Sequence, residues 1–196
     1  MRMRTLALAI ALVAAATLVS STSAMAQAAK KKQRQRISPH ETITATIDGQ
    51  EVKLVYGRPY SKKPGTDEVR KIWGGLVPYG KVWRTGSDEA TLLTTAAPIE
   101  IGGKSLPAGT YSLFTVPDED GTAKLVINKK TGQWGIPYNE ASEKANELAR
   151  IDLKKSTLDK NVEQFTMAIE PQAGGGGELK MMWETTQYSV PFTAKK

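Results

Sequence analysis

From Thr42 onward the chain alternates apolar and polar residues with a period of two, and glycine-bearing turn signals repeatedly interrupt the alternation. That period puts successive side chains on opposite faces of a strand, so the chain can hide its apolar face only by packing two sheets together or by closing one on itself. Thr42-Ile43-Thr44-Ala45-Thr46-Ile47 opens the series. Asp48-Gly49 is the signal of a two-residue type I′ turn, and Val52, Leu54 and Tyr56 continue the apolar face on the return strand. Ile99-Glu100-Ile101, Gly102-Gly103 and Lys104-Ser105-Leu106 predict a second hairpin. Pro107-Ala108-Gly109 then turns the chain into the segment 110–116, which is apolar on both faces and therefore expected to be a central strand. Leu125-Val126-Ile127 is a short buried run. Phe165, Met167 and Ile169, then Leu179, Met181 and Trp183, then Tyr188, Val190 and Phe192 complete the alternation, with Pro191 placing the last strand at an edge.

A single segment carries the helical period. Asn139 can cap it, Glu140 and Glu143 suit its first turn, and Ala141, Ala145, Leu148 and Ala149 fall on one face. The whole predicts an all-β, mainly antiparallel fold, a β-sandwich or jelly-roll-like barrel with one short helix packed at an edge. An eight-stranded closed barrel is the alternative.

The N-terminus predicts a segment the mature protein does not keep. Arg2 and Arg4 precede an apolar stretch over 6–19 that is short for a membrane span, and Ala24-Met25-Ala26 has the small-residue pattern of a cleavage site. Residues 1–26 are thus read as a signal peptide, residues 27–37 as a flexible basic tail and residues 38–194 as one β-rich domain. The expected location is periplasmic or secreted, with no membrane span after cleavage. The division also explains the charge: the chain has 27 basic and 20 acidic residues, the signal takes two of the basic ones and the run from Lys30 to Arg36 five more, which leaves 20 against 20. A neutral folded part does not present a nucleic-acid-binding face, although the tail could touch anionic surfaces.

With no cysteine and a single histidine, His40, the chain excludes thiol nucleophiles, disulfides, cysteine-rich zinc sites and multi-histidine metal cages, so neither metal nor cofactor is expected. Gly174 to Gly177 is followed by a strand pattern and not by a helix, which makes it a hairpin loop and not a phosphate cradle. The informative stretch is Gly57 to Ala90, which lacks a clean period and mixes Tyr60, Trp73, Tyr79 and Trp83 with Arg58, Arg70, Arg84, Asp88 and Glu89. Flat apolar rings beside directional charged groups suit sugars or peptides. The competing expectation is that Trp73 and Trp83 plug the end of the sandwich while Arg84 fixes the loop through Asp88 or Glu89.

Three long segments carry a resemblance: VYGRPYSK at Val55 to Lys62, LVPYGKVWRTGSDEATLLT at Leu76 to Thr94, and IGGKSLPAGTYSLFTVP at Ile101 to Pro117. With LVINKKTGQW at Leu125 to Trp134 and the stretch from Met182 to Phe192, they make the chain resemble domain-of-unknown-function family 2911. The resemblance implies a secreted or periplasmic bacterial β-rich domain, and its pattern carries over to Arg58, Pro59, Trp83, Arg84, Gly86, Glu89, Asn128 and Trp134. The loop from Lys62 to Arg70 is longer here than in that pattern.

The functional expectation is a non-catalytic binding module for carbohydrate, peptidoglycan or a partner protein of the cell envelope. Arg58, Tyr60, Trp83, Arg84, Glu89 and Trp134 are its candidate ligand-binding residues, and no residue is assigned a catalytic role. The alternatives are a hydrolase of envelope polysaccharide using Glu89, and a structural envelope protein. Asp88 and Glu89 are adjacent and so do not by themselves flank a glycosidic bond.

Overall fold

A computed structural model describes residues 36–195; the expected signal peptide and nearly all of the basic tail lie outside the described residues. The ten strands are β1 (His40–Ile47), β2 (Gln50–Gly57), β3 (Thr91–Thr95), β4 (Ile99–Ile101), β5 (Lys104–Leu106), β6 (Gly109–Pro117), β7 (Ala123–Asn128), β8 (Glu147–Asp152), β9 (Lys154–Pro171) and β10 (Gly177–Ala194). They form two antiparallel sheets, ordered β1-β2-β3-β6-β7-β8 and β5-β4-β10-β9. Leu54, Tyr56, Leu113, Leu125 and Ile127 of the first sheet share one core with Phe165, Met167, Leu179, Met181 and Trp183 of the second. This is a sandwich, and the closed-barrel alternative is not what forms.

The turn chemistry sets the register. Asp48 and Gly49 both take left-handed φ, 52° and 81°, as a type I′ turn requires, and Ile47 pairs with Gln50 across it. The Asp48 carboxylate then accepts the amides of Gly176, at 2.8 Å, and Ala194, at 3.0 Å. The expected hairpin loop at Gly174 to Gly177 is therefore pinned to the opposite sheet. β6 lies inside the larger sheet, between β3 and β7. Its second apolar face is accounted for by Phe114, which with Val126 and Ala90 forms a small separate core under Val82, Val116 and Tyr138.

Two local expectations fail for physical reasons. The helix α1 spans only Glu140–Glu143, capped by the Asn139 side chain, and a 3-10 turn, Lys144–Asn146, leads straight into β8. Leu148 and Ala149, expected on the helix, lie on that strand: Ala149, Ile151 and Leu153 alternate inward, and pairing with β7 outweighs the few hydrogen bonds a short helix could add. Pro191 belongs to β10, which is an interior strand flanked by β4 and β9. It is tolerated because the last β9 pair is Ser189 with Lys154 and the first β4 pair is Phe192 with Ile101, so neither ladder needs its donor.

β10 also carries a local cost. Between two register shifts against β9, Glu184 adopts φ 54°, and burial holds its carboxyl above the usual range. A carboxyl raised in this way destabilises the fold fully above its folded-state value, and the penalty disappears on acidification below the unfolded value. Glu184→Asn, which tolerates left-handed backbone and removes the charge, is expected to raise stability by about 1 kcal/mol near pH 8 and by less near pH 4. Denaturant midpoints at the two pH values measure it, and an equal gain at both would show that the charge plays no part.

Candidate functional site

β2 and β3 are antiparallel neighbours that a tight turn could join, yet the segment 58–90 runs between them. It is anchored piece by piece. Ser61 N donates to Glu163 O (2.7 Å) and Phe165 N to Pro59 O (2.9 Å), so the start of the segment lies against the middle of β9. Residues 61–70 fold into a small hairpin, closed by Lys63 N to Glu68 O (2.8 Å) and Arg70 N to Ser61 O (2.9 Å). Further on, Trp83 exchanges two 2.8 Å backbone hydrogen bonds with Thr115 of β6, in the lane that β3 has not yet entered.

The turn that follows, Arg84 to Glu89, is strained and well held. Thr85 and Asp88 have φ of 53° and 65°, and both are buried. The Arg84 guanidinium donates to Asp88 O (2.7 Å) and Trp134 O (3.2 Å) while lying over the Trp134 ring. Thr91 Oγ1 donates to Thr85 O (2.6 Å). The Asp88 carboxylate accepts the amides of Ile37 and Ser38, both at 3.2 Å to Oδ2, and the Glu89 carboxylate meets His40 Nε2 at 3.1 Å. The turn thereby fastens the first residues of the domain.

A cleft of about 610 Å³ opens beside this turn, lined among others by the 62–66 hairpin, Arg70, Leu76, Ile136, Glu163 and Trp183. Of the six candidate ligand-binding residues, Tyr60, Trp83 and Arg84 lie on it, and Arg58, Glu89 and Trp134 do not. Trp83 is only 7 % exposed, packed against Phe165, Trp183 and Trp73 at centroid distances of 5.0, 5.9 and 6.4 Å, so it is as much core as wall. Arg58 clamps β1 to β9: it meets Glu41 Oε2 (3.1 Å) and donates to Thr166 Oγ1 (2.8 Å) and Phe165 O (3.2 Å). Trp134 supports Arg84 from behind. Asn128, fully buried, accepts from Lys130 N (2.8 Å) and donates to Glu143 O (3.1 Å), which orders the segment that brings Ile136 to the cleft.

The family model described as a protein of unknown function, DUF2911, matches residues 38–192. The chain belongs to DUF2911. No curated protein and no solved structure is significantly similar to it.

In this DUF2911 chain the cleft residues outside the motif segments came from no local pattern. Ile136 is an apolar residue in an irregular stretch and Glu163 one acid in a strand, while Arg70 and Leu76 belong to the aperiodic stretch Gly57 to Ala90, where nothing local separates them from their neighbours. What marks Leu76 and Ile136 is exposure, 42 % and 39 %, which no sequence period reports. Among the described residues no group of three or more acidic or histidine side chains converges as metal ligands, and no helix is long and apolar enough to cross a membrane.

Proposed function

We propose that the protein is a non-catalytic binding module of the cell envelope, exported to the periplasm or beyond, that holds a carbohydrate, a peptidoglycan fragment or a segment of a partner protein in this cleft. One observation carries the reading. Of the six large hydrophobic residues exposed among the described residues, Ile37, Tyr60, Leu76 and Ile136 line this one cleft. Exposed apolar side chains scattered singly need no explanation, but a cluster rimmed by Lys62, Lys63 and Arg70 is what a recognition surface offers. Support for export is the pattern of Arg2, Arg4, the apolar stretch and Ala24-Met25-Ala26. A hydrolase built on Glu89 is less well supported, because that carboxylate is engaged by His40 and lies off the lining.

The test starts from cells expressing the full chain. The protein is expected in the envelope or medium, with Gln27 as its first residue. Retention on insoluble peptidoglycan or a polysaccharide panel should survive high salt and be lost in a Tyr60→Ser/Ile136→Ser variant that still melts cooperatively. A cytoplasmic protein with its N-terminus intact would overturn export. Retention that vanishes with salt, or that the variant keeps, would overturn the cleft as the binding surface.

A further inference from the structure

Three cations stand along one wall of the cleft, and they differ in how they are neutralised. Lys62 lies 3.4 Å from Asp67 and 4.0 Å from Glu163, and Lys63 lies 3.5 Å from Glu68. Arg70 has no carboxylate within ion-pair distance among the described residues. Its Nε donates to Ser61 O (3.4 Å) and its Nη2 to Tyr60 O, so two carbonyls of its own hairpin hold the guanidinium in place without cancelling its charge. The Nη1 edge has no partner among the described residues, and a guanidinium presents such an edge as a fork matched to carboxylate oxygens.

The surroundings narrow the anion further. Tyr60, Leu76 and Ile136 supply an aromatic and aliphatic lining, which favours an apolar body over the polar edges of a sugar ring. Asp88 and Glu163 lie on the same lining, and their charges oppose a dianion such as a phosphate monoester more than a single carboxylate. We propose that Arg70 is the anion-binding residue of this cleft and that its ligand is an organic monocarboxylate with an apolar body. The carboxylate meets the Nη1 edge while the body lies along Tyr60, Leu76 and Ile136. The inference rests on the binding-module reading above and names the chemistry of its ligand.

Protein produced from the full chain is titrated, by amide chemical shifts, with 4-phenylbutyrate and with the neutral 4-phenylbutanol. The carboxylate should bind at least about tenfold more tightly than the alcohol, as a charge-assisted pair demands. Arg70→Gln should abolish that difference while leaving the alcohol's affinity unchanged. Glu163→Gln, which leaves the Arg70 clamp intact, should increase the carboxylate's advantage. Equal affinities for the two probes, no binding of either, or an advantage that survives Arg70→Gln would each overturn the proposal. Its failure is separable from failure of the binding module: polymer retention lost in Tyr60→Ser/Ile136→Ser would still stand if the carboxylate showed no preference, whereas retention kept by that variant would remove the cleft altogether.

Discussion

Replacing Trp83 with alanine is expected to lower folding stability by about 3–5 kcal/mol, the range for truncating a buried large aromatic. For a domain of this size that is a fall in melting temperature of roughly 10 °C. The reason is position. The Trp83 ring stacks on Trp183 with an interplanar angle of 21° and meets Phe165 and Trp73 edge-on, so it joins the irregular segment to the strands β9 and β10. Its backbone meanwhile extends the larger sheet beside Thr115. Truncation leaves a void among three aromatic rings, none of which can close it without leaving its own packing. Thermal and denaturant unfolding measure the loss. A variant that melts within about 2 °C of the parent would show that Trp83 is mainly a contact residue and not a part of the core. Loss of ligand in Trp83→Ala is therefore no evidence of direct contact, which is why Tyr60 and Ile136 are the informative positions.

What the sequence made legible is what local chemistry determines. Asp48-Gly49 specifies its turn because two left-handed residues suit few other sequences, and the alternation after Phe165 and after Leu179 specifies strands because one face must be buried. The segment 140–149 misled because apolar residues at helical spacing also alternate, and pairing with β7, set by a distant part of the chain, decided between the two periods. The candidate site was legible as chemistry and not as geometry. Arg58 finds Phe165 and Thr166 more than a hundred positions away, and Glu89 finds His40 across 49 positions, contacts that no spacing announces. Arg70, one of three arginines in the aperiodic stretch Gly57 to Ala90, was not distinguished from the others for the converse reason, since its significance lies in carbonyls that aim it only once the 61–70 hairpin has folded.

Gly57→Ala is expected to destabilise the protein by about 3 kcal/mol or more and to loosen the turn that borders the cleft. A methyl on Gly57 would stand 2.2 Å from the backbone oxygen of Ser87 and 2.6 Å from its Oγ. A methyl on Gly86 would in turn stand 2.7 Å from Gly57 O, so β2 and the turn are in backbone contact from both sides. The obstruction is a carbonyl on a buried turn held by Arg84 and Thr91, and it cannot swing aside as a flexible side chain would. Either the turn moves, releasing the Asp88 carboxylate from Ile37 and Ser38, or the end of β2 separates from His40. Gly103→Ala supplies the control. Gly103 has φ 74° and nothing within 4 Å of an added methyl, so its cost is conformational alone, about 1 kcal/mol. Gly57 has no left-handed backbone to preserve, and any excess over the control measures steric contact with the turn. Unfolding midpoints of the two variants, with amide exchange at residues 37–40, make the comparison. If Gly57→Ala is no worse than Gly103→Ala and the exchange at 37–40 is unchanged, the turn is not held in register by its contact with β2. If it is worse and that exchange accelerates, the same glycine that lets β2 end against the turn also fixes the wall of the cleft.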